Sequence, residues 1–478
     1  MISKKTLVVI FVAAIIVLVY IDQSFRNGEL SLNMTSGKEN QYVKEYSLPA
    51  DSAPNGLVVD DAGLVWVSSK HATLYSVDPT NGMVKNYEIK NGAASLENAS
   101  VNSTTVWAIV QDNDGKIWLA SLGTTSIWRF DPSSGTFDSY LSETGAPFQM
   151  KATKNGEIWF TTLRGDTLGV IEKSEKSSYK ISAFDVGAHT NPAGVFLQND
   201  FVWIANVGSQ NILEYKINQE NSTVKDISLI QSIPKDNATL FSAPTDLLLN
   251  NNILWLTEHG TSFLTSYDIG DGKVIRYPTS QNGFHTTTLP FWIRGVQDPK
   301  VLWFNEHQGN KIGRFDLSNK TLIEYSIPSL PKDGYLTYPL NLSQDPHDEK
   351  ILWFSEWNTD KVGMINGHAI IPFEINLNTT QITLGHGKTG IVDLEIKGDA
   401  HSSGKLYLNA SSSITPTAEL GNLTVSFSSN VVDASRDNTV KLLIDGDKVS
   451  PGNYTVGISA SDGYATKTKF LDLSVQNK

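Results

Sequence analysis

The sequence predicts an all-β fold: a seven-bladed β-propeller, followed by an immunoglobulin-like or fibronectin type III-like β-sandwich and preceded by a transmembrane helix. Three observations carry this. Seven tryptophans recur in one strand context: Trp66 in LVWVSS, Trp118 in KIWLAS, Trp159 in EIWFTT, Trp203 in FVWIAN, Trp255 in ILWLTE, Trp303 in VLWFNE and Trp353 in ILWFSE. They lie 41 to 52 residues apart, a period that belongs to four-stranded propeller blades. From residue 373 the tryptophans stop, and alternating strands continue with turns roughly every eight to twelve residues. The third observation is an apolar run of about sixteen residues directly after Lys4-Lys5.

That run ends at YIDQSF with no small-x-small cleavage site, so residues 1–22 read as an uncleaved signal anchor. The lysines should stay cytoplasmic and the rest face outward. The polar stretch 23–42 reads as a tether. The propeller is expected over 43–372 and the sandwich over 373–478.

The sixth repeat gives the blade plan. PFWIRGVQ follows a proline-bounded turn, then come VLWFNE, KIGRFDL and TLIEYSIP, separated by turn residues. No stretch of the propeller keeps a 3.6-residue apolar period, so helix should be nearly absent. Each repeated Trp is expected to pack between neighbouring blades. Two segments compete for the outer strand of blade seven, VKEYSLP (43–49) and IIPFEI (370–375), and the first is favoured. Strand pairing between the chain ends would remove an exposed sheet edge. In the tail, PGNYTV suggests a late hairpin with Tyr454 as its corner tyrosine.

The chain has no cysteine and a net charge of −12. Disulfides and thiol chemistry are excluded, and nucleic acid is not an expected partner. Sequons such as Asn33, Asn98, Asn221 and Asn453 fit an outward-facing glycoprotein.

Strand order places candidate chemistry on the top rim, at the third residue past each Trp. These residues are Ser69, Ser121, Thr162, Asn206, Glu258, Glu306 and Glu356, and the next ones in blades five to seven are His259, His307 and Trp357. Converging carboxylates would suit a divalent cation, so Glu258, Glu306 and Glu356 are candidate metal ligands. A neighbouring His could act as general base, which makes His307 and His285 candidate catalytic residues. The competing reading is structural, with the glutamates holding loop amides. His259, Phe284, Trp292, Tyr335, Tyr338 and Trp357 form a candidate ligand surface on the entering loops.

The blade grammar resembles the virginiamycin B lyase (streptogramin lyase) family, most closely in WFNEHQGNKIGRFDLSNKTLIEYSIP, with WLTEHG and WFSEWNTDKVG also matching. The resemblance spans roughly 43–372. It implies elimination across the ester of a cyclic depsipeptide antibiotic, with a magnesium ion, carboxylate ligands and a catalytic His after the proline of an inner strand. Here that place holds Leu340, and its counterpart in blade six holds Phe291. Only Glu356 matches a ligand position. The expectation is therefore a membrane-anchored, outward-facing propeller that binds a small molecule, peptide or glycan at its top face, with the lyase reaction lost. The alternative is a divergent divalent-metal-dependent lyase or hydrolase acting on an ester.

Overall fold

In this computed structural model the described residues are 40–89, 105–122, 124–174, 178–235, 241–281, 285–295, 299–330, 336–385, 387–398, 404–413, 423–446 and 449–477. The anchor expected over 1–22 and nearly all of the tether over 23–42 lie outside them. Among the described residues no helix is long and apolar enough to cross a membrane.

Seven antiparallel four-stranded units follow one another as blades. Their inner strands are Pro54–Val59, Val106–Gln111, Gln149–Ala152, Pro192–Gln198, Pro244–Asn250, Pro290–Arg294 and Pro339–Gln344. The second strands carry the repeated tryptophans. Trp66, Trp118, Trp159, Trp303 and Trp353 are at most 2% exposed, and Trp66, Trp118, Trp159 and Trp353 pack among apolar residues of their own and the adjacent blade. The outer strand of blade seven is Val43–Ser47, paired with Lys361–Asn366 from Val43↔Ile365 to Ser47↔Lys361. The competing segment contributes Phe373–Leu377 to a C-terminal sheet. Joining both ends of the propeller in one blade closes the ring.

Six of the seven inner strands start with a register shift, as at Pro54/Leu57, Pro290/Ile293 and Pro339/Leu342. Such bulges re-aim side chains and leave backbone groups unpaired. A repeated side chain satisfies those groups. Two residues past the Trp, Ser68 donates to the Val106 carbonyl (2.8 Å), Thr161 to Ala193 (2.6 Å), Thr257 to Phe291 (2.5 Å), Asn305 to Pro339 (2.5 Å) and Ser355 to Asn55 (2.7 Å). The last of these links blade seven to blade one. Blades two and four have Ala120 and Ala205 at this place, which cannot make the bond.

The C-terminal module has two sheets. One has the order Phe373–Leu377, Thr389–Gly398, Asn438–Asp445, Thr424–Phe427. The other contains Ala465–Gln476, Gly452–Ser461, Lys405–Ser412 and Val431–Asp433, with Gln381–Gly385 parallel to Ala465–Gln476. Ala465–Gln476 also pairs with the outer strand of blade six, Thr321–Ser326, from Thr321↔Lys469 to Tyr325↔Ala465. The module therefore continues a propeller sheet rather than hanging from a linker. Phe470 seals the joint against Tyr277 of blade five at 5.1 Å between ring centroids.

Candidate functional site

The second strands of blades five to seven end in Glu258, Glu306 and Glu356, all 0% exposed. Each carboxylate turns into its own blade, toward the outer strand. Glu258 accepts hydrogen bonds from Arg276 Nε (2.8 Å), Thr265 Oγ1 (2.5 Å) and the Ser242 amide (2.6 Å). Glu306 faces Glu324 of its outer strand, and Lys311 Nζ lies 3.6 Å from the Glu324 carboxylate. Burial, then the Glu324 charge, pushes Glu306 well above the ordinary carboxylate range. Glu356 accepts from Thr359 Oγ1 (2.6 Å) and faces Glu45 of the closing strand. Lys361 Nζ is 2.6 Å from Glu45. Burial first, with the charge of Glu45 second, pushes Glu356 up to about 8.

The convergence expected from the sequence is thus absent. Among the described residues no group of three His, Asp or Glu side chains could hold a metal ion. The physical reason is that these side chains run along the blade, where Arg276, Lys311 and Lys361 already supply the positive charge a cation would bring. The residues missed by sequence reasoning, Arg276, Glu324 and Glu45, carried a signal. Each directly precedes a Tyr in an outer strand, in VIRYP, TLIEYS and VKEYS.

The histidines that follow do meet. His259 Nε2 and His307 Nδ1 are 3.3 Å apart, and both residues are 4% exposed. Phe291 covers them, with its ring centroid 4.9 Å from His259 and 4.2 Å from His307. Burial lowers His259 to about 4. Burial and the neighbouring His259 hold His307 well below the ordinary imidazole range, so both rings are neutral at pH 7.

Phe291 also joins an aromatic plug across the channel. Trp107 of blade two stacks on Phe148 at the entry to blade three (5.4 Å), and Phe148 contacts Trp292 (5.5 Å). Trp292 is 1% exposed, which corrects its placement on the ligand surface. The bulge between Pro290 and Ile293 turns both Phe291 and Trp292 inward, where strict alternation would send one of them out. Leu340, after the Pro339 of blade seven, is also buried. At the rim, His285, Tyr338 and Trp357 are half-buried, and the Trp357 amide donates to the Tyr338 carbonyl (3.1 Å). Phe284 and Tyr335 lie outside the described residues.

The virginiamycin B lyase family matches over residues 94–387, more than half of the chain. The chain belongs to this family. Among solved structures, a catalytically inactive virginiamycin B lyase from Staphylococcus aureus, with quinupristin, is 23% identical with a TM-score of 0.52, over 68% of this chain and 98% of that one. The RRP9 WD40 repeats are 10% identical with a TM-score of 0.51, over 68% and 97%. U3-55K is 10% identical with a TM-score of 0.51, over 69% and 100%. These likenesses show the propeller fold. No curated protein matches the chain. The magnesium ion that the virginiamycin B lyase family implies does not fit Glu258, Glu306 and Glu356, because they lie in three separate blades, Glu258 paired with Arg276 and the other two facing Glu324 and Glu45, whose own partners are Lys311 and Lys361.

Proposed function

We propose that this virginiamycin B lyase family propeller binds a peptide, glycan or small ligand at its top rim and does not perform the lyase elimination. The supporting observation is the burial of both rim imidazoles against Phe291, with Leu340 where the family places its base. A general base must come within hydrogen-bond reach of the proton it removes, and His259 and His307 are both only 4% exposed. The groups available there are His285, Tyr338 and Trp357.

The chain is further proposed to be anchored by residues 1–22 with the propeller outside, which N-terminal sequencing of the mature protein tests. Retention of the first residues supports the anchor, and a mature start between about residues 20 and 30 sinks it. The C-terminal module is proposed to be immunoglobulin-like, because the Tyr454 hydroxyl donates to the Ser450 carbonyl at 2.8 Å, as a corner tyrosine does. Backbone assignment by NMR tests this through its strand order, and an order incompatible with an immunoglobulin sandwich refutes it.

The activity test is direct. Purified protein is incubated with quinupristin and magnesium, and the products are separated by chromatography. The cyclic antibiotic should persist for hours, since losing a general base typically slows such a step about 10²–10⁴-fold. Linearisation at the rate of an active lyase would refute the proposal.

A further inference from the structure

Below the aromatic plug of Trp107, Phe148, Phe291 and Trp292, a second ring of side chains lines the channel. Opposite the repeated tryptophan, the inner strand of blade three places Lys151 and that of blade six places Arg294. The other five blades put Val58, Val110, Phe196, Leu248 and Ser343 at this place. The shared register sets all seven at one height. Six of them are half-buried, and Leu248 is 6% exposed. The ring therefore holds two cations, four apolar side chains and no acid.

The two cations are not equivalent. Arg294 Nη1 donates to Asp246 Oδ2 (2.7 Å), and its Nε donates to the Leu342 carbonyl (3.1 Å). Asp246 is 0% exposed and also accepts the Leu247 and Ile293 amides (3.0 and 3.1 Å). That acid is committed to Arg294 and the backbone. Lys151 makes no hydrogen bond or ion pair among the described residues. It feels the charges of Arg294 and Asp246, three and two blades away, and blades three and six face each other only across the channel. The next residue, Ala152, is exposed and leads into the bottom turn at 153–156, so the approach to Lys151 is from below.

A lysine becomes nucleophilic when it is desolvated among apolar groups or set near another cation, and Lys151 has both conditions. We propose that Lys151 forms an imine with a small uncharged aldehyde that enters the channel from below. The unprotonated amine attacks the carbonyl carbon. A C=N bond replaces the C=O bond, and the oxygen leaves as water with both amine protons. Val58, Val110, Phe196 and Leu248 favour an aliphatic chain over a charged one. Burial, then the Arg294 charge, lowers Lys151 to about 8, with Asp246 opposing. At neutral pH more of its amine is unprotonated than in an ordinary lysine, which titrates near about 10.4.

The test treats purified full-length protein near neutral pH with propanal and sodium cyanoborohydride, whose hydride reduces the imine to a stable secondary amine. Mass spectrometry of tryptic peptides then gives the labelling rate of each lysine. Lys151 should be propylated at least roughly tenfold faster than the exposed Lys320 and Lys405. The preference should vanish in urea-unfolded protein. Arg294→Met frees Asp246 to pair with Lys151 and should slow its labelling by a similar factor. The comparison within the parent protein decides the matter by itself if this variant folds poorly. Labelling of Lys151 no faster than that of the exposed lysines, a preference that survives unfolding, or undiminished labelling in the folded variant would overturn the proposal.

Discussion

Blades one to three and blades five to seven use the same strand plan but put their buried carboxylates at opposite ends. In the first group the acid sits at the bottom turn and holds the repeated tryptophan. Asp60 accepts from the Trp66 indole (2.7 Å), Asp112 from Trp118 (2.8 Å) and Glu157 from Trp159 (2.9 Å). The rim positions are then the small residues Ser69, Ser121 and Thr162, all fully buried. In the second group the acid is at the rim and faces the outer strand, where Glu258 meets Arg276, Glu306 meets Glu324 and Glu356 meets Glu45. The Trp303 indole falls back on the Glu349 carbonyl (3.1 Å), and the Trp353 Nε1 has no partner among the described residues. One architecture therefore hosts two wiring schemes. A rim glutamate in this fold signals an outer-strand partner as readily as a metal.

The largest expected effect tests the rim wiring. Lys311 is 10% exposed beside Glu324, which is 0% exposed, and its ammonium also donates to the Ser280 carbonyl (2.8 Å). Lys311→Met keeps the stem and removes the charge, leaving a buried carboxylate pair without its cation. Breaking a buried pair in this way destabilises by about 3–5 kcal/mol. Urea unfolding should show the loss. A change under about 1 kcal/mol would mean that the Glu306–Glu324 pair holds itself by sharing a proton and that the lysine is incidental.

A matched pair of substitutions sharpens the contrast between the two groups. Trp118→Phe and Trp353→Phe remove similar volumes from similar blade interfaces. Only the first leaves an acid, Asp112, without its indole donor. Hydrogen bonds to charged groups contribute about 1.5–3 kcal/mol, so Trp118→Phe should be the more destabilising by about 1–2 kcal/mol. Equal losses in denaturant unfolding would show that the two indoles act as packing alone.

Much of this was legible in the residues. The seven tryptophan contexts define the blades, and VKEYS reads as a strand with blade character. Two things were hidden. Strand alternation cannot register a bulge, so Trp292 looked like a surface aromatic when the shift after Pro290 carries it into the channel. Period and spacing also place Glu258, Glu306 and Glu356 at one height without stating which way they point. The direction depends on partners in the outer strand, and the shared Arg-Tyr or Glu-Tyr pairs at 276–277, 324–325 and 45–46 were the available clue.

The smallest expected effect is a slope rather than a loss. Glu356 is pushed up to about 8, first by burial and then by the charge of Glu45, while Thr359 and Lys361 oppose the rise. In the unfolded chain the same carboxyl titrates near its ordinary value of about 4.3. Between these values the folded protein holds a proton that the unfolded chain has released. Stability from this group is therefore fully present at low pH and falls as pH rises from about 4 through about 8. Glu306 is shifted in the same direction, chiefly by burial, and adds to the slope. Glu356→Gln keeps the shape and the neutral state while removing the titration. Unfolding free energies measured at about pH 5 and about pH 8 should differ less in this variant than in the parent. An unchanged difference would mean that Glu356 is already ionised in the folded protein, with Lys361 as its counterion, and blade seven would then be wired like blade five rather than blade six.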